Sequence, residues 1–334
     1  MAGGSSAGSA GTAATAGNAG SGGTPSNEGG AGGDGNVELG TPAEDALPEL
    51  DAVRQEHSVA ALRGEVYVIG GYTPMITSSV LAYDPATMTF REVADFPEPF
   101  NHPNVGVVGD TLIVAGYYIN GMTTPTDEVW AYDPDDDAWT ERTPMPADTE
   151  RGAACTAVLD GKIYVFGGAR EGSSSALVSA YDVADDSWEQ LPDMPVRREH
   201  CAAGAIGGKL YIAGGRADGI EGLDTTAFEF DPASPAYVPI ATMPTPRGGV
   251  ASVVLAGRLF VFGGEGSDDD PNGVFPDVEA YDPVADAWEV FPAMDAPRHG
   301  FGAAVLDGRI YLMGGATRQG GGADTLSSVY YFEP

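Results

Sequence analysis

The chain has 334 residues and a formal net charge of −33, from 16 Lys and Arg against 49 Asp and Glu. That balance argues against nucleic acid as a partner, because binding it needs a basic stripe. No apolar run is long enough to span a bilayer, and two cysteines are too few for a paired-Cys metal site.

Taken in chain order, residues 1–36 are dominated by Gly, Ala, Ser and Thr without one aromatic, which reads as a flexible leader or tether. Residues 37–334 then carry a unit that recurs about every fifty residues, a period typical of arrays of small sheets. The third unit shows its stations. An apolar stretch of small residues, Ala153–Leu159, runs into the tight turn Asp160-Gly161. An apolar strand, Ile163–Phe166, ends at Gly167-Gly168. A variable loop leads to a third strand closing on Tyr181-Asp182. A fourth strand carries Trp188 and ends in a proline-rich link.

The glycine doublet recurs at Gly70-Gly71, Gly214-Gly215, Gly263-Gly264 and Gly314-Gly315, with Gly116-Tyr117 as a degraded copy. The Tyr-Asp-Pro turn recurs at Tyr83, Tyr132, Phe230, Tyr281 and Phe332, and the fourth-strand aromatic at Phe90, Trp139, Tyr237 and Trp288. Proline ends the third strand because it cannot donate to a ladder. Strand-length runs between turn residues, with no helical period, predict an all-β fold.

This order of Gly doublet, Tyr-Asp-Pro turn and aromatic resembles the Kelch repeat, in six units. The resemblance implies a six-bladed β-propeller, each unit a four-stranded blade around a central channel. The sixth unit stops at Phe332-Glu333-Pro334, before a fourth strand. Leu47-Pro48-Glu49-Leu50 matches Leu191-Pro192-Asp193-Met194, the end of one. The ring is therefore expected to close through an N-terminal strand, Val37–Leu39 or Glu44–Leu47, that completes the last blade and removes an open edge.

In such a propeller the loops after each Gly doublet share one rim with the residues that begin each first strand, and binding residues sit on such loops. Ten positions before the hairpin glycine stand Arg54, Arg151, Arg198, Arg247 and Arg298. Guanidinium groups pair with carboxylate or sulfate, so one reading is an anion-binding mouth. The other is a brace between blades, which strict repetition favours. Two positions further on stand Glu56, His102, Ala153, His200, Gly249 and Gly300, with His57 and His299 one step to either side. This station breaks the symmetry and gathers every histidine of the chain. It reads as a pocket lining, or as imidazoles bonded to neighbouring loops. Rim loops add Tyr72, Tyr117, Tyr118, Arg170, Glu171, Arg216, Glu265 and Arg318.

Asp268, Asp270, Asn272, Gly273 and Glu279 fit a calcium-loop spacing. Strands flank it rather than helices, which favours a solvated acidic loop over calcium as a cofactor. Cys155 and Cys201 fall one position out of register on adjacent first strands, so alternation points them to opposite faces as buried thiols. A copper-radical oxidase with Kelch-like repeats needs a cysteine-linked tyrosine, two histidine ligands and seven blades; six units, with no Cys aligned near a rim tyrosine, argue against it.

The leading functional expectation is a non-catalytic recognition module binding a protein or glycan, anionic ligands included, through its Arg/His-lined loop face. One alternative is a sialic-acid-type mutarotase using Glu56, Arg198, Glu199 and His200. Another is an acidic scaffold. The leader resembles the tether of bacterial surface lipoproteins, which implies an extracellular or cell-surface protein. Met1-Ala2-Gly3-Gly4 has neither the basic start nor the apolar core of a signal, so the expectation is a chain lacking its signal, or a cytoplasmic protein if the start is genuine.

Overall fold

In five of the six hairpins that begin the blades, both central turn residues take positive φ, as at Asp160 (50°) and Gly161 (78°). This is the turn geometry that matches the twist of paired strands. The computed structural model describes residues 47–321 and 324–333. In blade 1 the strands Ser58–Leu62, Glu65–Ile69, Val80–Asp84 and Thr89–Glu92 pair antiparallel in that order. Blades 2 to 5 repeat the four-stranded pattern from the innermost strands Val105–Val108, Cys155–Leu159, Ala202–Ile206 and Ala251–Leu255. Blade 6 has three strands among the described residues: Gly302–Leu306, Arg309–Met313 and Val329–Phe332. Its inner strand packs beside that of blade 1. Single 3-10 turns at Gly121–Thr123 and Ile220–Gly222 are the helical elements among the described residues.

The second strand of each blade is buried on both faces, because each blade is sandwiched between two others. Apolar clusters therefore lie between blades: Phe166, Leu210 and Phe230 join blades 3 and 4, and Phe262, Leu312 and Phe332 join blades 5 and 6. The fourth-strand aromatics tie each blade to the one before. The indole N–H groups of Trp139, Trp188 and Trp288 donate to the carbonyls of Ala94, Thr143 and Ala241 at 2.8–3.0 Å.

The chain ends meet as expected. The Leu50 N–H donates to Ser327 O at 2.8 Å, the bond that Met194 N–H makes to Ala176 O in blade 3. Leu47 and Leu50 pack with Tyr331 of the last blade. The strand residues themselves, Val37–Leu39 and all but the last of Glu44–Leu47, lie outside the described residues, as do the leader 1–36 and Pro334.

The arginine station overturns both expectations: these guanidiniums neither form a mouth nor brace one blade against the next. Arg54, Arg151, Arg198, Arg247 and Arg298 are 0–1% exposed. Each turns back into its own blade. Arg151 donates to the carbonyls of Thr149, Val165 and Gly167 and to Ser179 Oγ. Arg54, Arg198 and Arg298 reach the first carbonyl of their own Gly doublets. Arg247 donates to Val261 O and pairs with Glu279. Backbone carbonyls at the end of a strand need donors once buried, and a five-donor fork supplies them.

The arginine carbonyl works in the opposite direction. It accepts the second glycine N–H of the neighbouring doublet, as in Gly315 N–H to Arg54 O at 2.7 Å. A Cβ on Gly314 (φ 66°) would stand 2.5 Å from that same Arg54 oxygen, which explains the doublet.

The cysteine expectation is overturned. Cys155 and Cys201 form a disulfide between blades 3 and 4, with Cα atoms 5.4 Å apart. Alternation holds only within an extended strand. Cys201 precedes its strand and follows His200, whose left-handed backbone (φ 52°) resets the direction of the side chain.

Candidate functional site

Two concentric belts of backbone surround the axis at the loop face. The inner belt is Glu56, His102, Ala153, His200, Gly249 and Gly300, all with φ between 49° and 64°. Each N–H donates to the carbonyl of the preceding member at 2.7–3.1 Å, and Glu56 N–H to Gly300 O closes the circle. The outer belt pairs the residue before each of these with the residue after a Gly doublet: Gln55 with Tyr72, Asn101 with Tyr118, Gly152 with Ala169, Glu199 with Arg216, Gly248 with Glu265, and His299 with Ala316. From these belts Glu56, His102, Glu199, His200, Arg216, Glu265 and His299 are delivered to one polar floor across the channel.

Glu56 is the hub of that floor. Its Oε2 lies 3.1 Å from His102 Nε2 and 3.8 Å from His200 Nε2, and its Oε1 lies 3.6 Å from His299 Nδ1. Glycine makes room for it, because a Cβ on Gly300 would stand 2.6 Å from Glu56 Oε1. Glu199 Oε1 sits 3.6 Å from His200 Nδ1 and accepts Arg216 Nε–H at 2.9 Å. Arg216 also pairs with Glu265, which takes Gly320 N–H at 2.7 Å. His299 Nε2–H donates to Arg318 O at 2.8 Å.

These neighbours set the charge states. Burial would raise the Glu56 carboxyl, yet His102 and His200 hold it well below the ordinary carboxylate range. Burial would likewise raise Glu199, but His200 and Arg216 outweigh it and bring it to about 2. Burial and Arg216 oppose the charge on His200, while Glu199 and Glu56 carry it up to about 9.

Glu56 and His102 line a cavity on each side. Inward lies a narrow channel of about 180 Å³ between small first-strand residues such as Ala157 and Gly204. Outward lies a funnel of about 560 Å³ walled by Tyr72, Pro74, Met122 and Ile220, with Arg216 and Glu265 at its base. The size suits a small ligand or an inserted side chain.

Of the residues expected at a pocket, Glu56, His102, His200 and His299 converge here. His57 turns away, its ring Nε2 against Met313 O at 3.0 Å in the seam between blades 1 and 6. Tyr117 and Tyr118, read as rim residues, are wholly buried. The calcium-loop reading loses a ligand: Glu279 is buried in blade 5 on Arg247 and Thr245. Asp270 forms a local turn with Asn272 N–H. Arg198, named for an acidic sugar, is inside blade 4. Glu199, Arg216 and Glu265 form the second layer of the floor. Their signal was position: one step before the inner-belt station, and one after the doublet.

The ring of six sheets around a polar axial floor defines a propeller with a loop-face funnel. The KLHDC2/KLHL20/DRC7 Kelch-repeats domain matches residues 101–315, and the Kelch motif matches 54–97 and 297–334. The chain belongs to the Kelch-repeat family. It is 35% identical over 308 residues to Kelch-like protein terF of Aspergillus terreus, covering 84% of this chain and 64% of that protein. It is 28% identical over 273 residues to human Kelch-like protein 23, covering 80% and 46%. The chain thus spans less than two thirds of the length of these relatives. Among solved structures, that of YjhT superposes with a TM-score of 0.72 at 16% identity, covering 85% of this chain and 96% of that one, a likeness of fold.

Proposed function

We propose that this propeller is a recognition module that takes a segment of a partner protein into the loop-face funnel. The observation that carries this reading is the funnel's construction: an apolar wall of Tyr72, Pro74, Met122 and Ile220 over a charged floor that rigid blades hold in place. Membership of a family whose domains generally bind protein partners supports it. The paired state of Arg216 and the burial of the five station arginines speak for a protein segment over an anionic sugar. The blade 3–blade 4 disulfide supports a site of action in an oxidising compartment.

A peptide array screened with the whole chain, beside a glycan array, tests the reading. Met122→Asp and Ile220→Asp should each weaken captured peptides about tenfold or more, as expected when a buried apolar contact is lost. Capture of glycans alone, or peptide binding indifferent to both changes, would refute it.

A further inference from the structure

The floor of the funnel has the ligands of a metal centre. Among the described residues, Glu56, His102 and His200 bring one ligand atom each to within 4.8 Å of one another, from blades 1, 2 and 4. A tetrahedral ion with bonds of about 2.1 Å holds its ligands about 3.4 Å apart, so small side-chain rotations would seat one.

The hydrogen bonds around the imidazoles point the same way. Asn101 donates its Nδ2–H to Tyr118 O, which turns its Oδ1 toward His102. An amide oxygen only accepts, so His102 Nδ1 carries the proton. The other ring nitrogen, Nε2, then faces Glu56 Oε2 at 3.1 Å. A carboxylate oxygen and a ring nitrogen at that distance share a cation, either a proton or a metal ion. His200 repeats the arrangement. Its Nδ1 faces Glu199, its Nε2 faces Glu56, and neither buried ring nitrogen has a hydrogen-bond partner. An acceptor behind each imidazole and the other ring nitrogen turned to a shared carboxylate is how metal-bound histidines are oriented, and an entering ion displaces the ring protons.

We infer that Glu56, His102 and His200 bind a divalent first-row transition ion, with its remaining coordination position open to the funnel. Two imidazoles and one carboxylate suit Zn²⁺ or Fe²⁺ better than a hard ion such as Ca²⁺, which takes six to eight oxygens. The open position would take a Lewis-base donor from whatever enters, such as a carboxylate or a hydroxyl. The inference concerns the floor itself and stands whether or not a protein segment is the occupant.

The test is calorimetric titration of chelator-treated whole protein with Zn²⁺, in excess Ca²⁺ to occupy the acidic surface. One Zn²⁺ per chain is expected. His200→Ala and Glu56→Gln should lower the affinity on the order of 100-fold, and Asn101→Ala about tenfold, as for ligands and their supports in other sites. Asp268→Ala with Asp270→Ala should change nothing. The unaltered protein, which needs no variant to fold, should give the intense visible bands of four-coordinate Co²⁺. Failure to hold one ion per chain, affinity unmoved by the floor variants, loss on removing the acidic loop, or a doubly protonated His102 in ¹⁵N spectra with Zn²⁺ present would each overturn the assignment. No partner enters the readout, so its failure is separate from failure of the recognition reading.

Discussion

The amide of Glu56 donates to the carbonyl of Gly300 across 2.7 Å, and this one bond joins the first blade to the last at the axis. It also places the Glu56 carboxylate over a residue with no side chain. Gly300→Ala would add a Cβ 2.6 Å from Glu56 Oε1 at a backbone φ of 60°. Strain and displacement together should cost about 1–3 kcal/mol and move the hub of the floor. Urea unfolding checks the first, and loss of Co²⁺ bands the second. An unchanged midpoint would show that the closure is not strained by a side chain there.

Arg151→Met should destabilise the protein by about 3 kcal/mol or more, because several buried carbonyls lose their donor at once. The exposed pair Arg197–Asp218 offers the contrast, with Arg197→Ala costing roughly 1 kcal/mol or less. Chemical denaturation of both variants measures the difference. Equal effects would return the station arginines to the surface role that repetition alone left open.

The bond between Cys155 and Cys201 closes a loop with a sequence separation of 46. Cys201→Ser should lower stability by about 2–4 kcal/mol. The native protein should show no titratable thiol until it is reduced and unfolded. A thiol reagent that labels the untreated protein under denaturing conditions would contradict the pairing.

His57 predicts a pH dependence. Burial, with Arg54 nearby, pushes its imidazole down to about 3 despite the Met313 carbonyl and Glu56. The folded state therefore holds His57 neutral while the unfolded chain takes up a proton near pH 6.5. Its contribution is present above about 6.5 and is lost as pH falls toward about 3, by on the order of 1.4 kcal/mol per unit. His57→Gln should flatten that part of the stability profile. A profile with the same slope in both proteins would reject the assignment.

The ring was legible in the sequence, because each station carries a short-range cause. Asp160-Gly161 demands a tight turn, and proline after Tyr83-Asp84 and Tyr281-Asp282 stops a strand. Leu50 declared the closure by its likeness to Met194, and both make the same bond. The level of Glu56, His102 and His200 was also readable, since repeats in register share a height.

Direction was not readable. Whether Arg151 faced solvent or its own blade depended on which carbonyls the fold leaves without donors, and that is settled only when the strands are in place. The left-handed step at His200 turned Cys201 toward Cys155 against the alternation rule. Arg216 and Glu265 looked like separate rim residues until the outer belt brought them to one floor. The sequence by itself determined the repeat, the blade number and the symmetry-breaking station, because periodicity and turn chemistry act over a few residues. The tertiary structure alone decided which charges face one another, because the imidazoles around Glu56 and the Arg216–Glu265 pair come from blades about fifty or more residues apart and meet only when the circle closes.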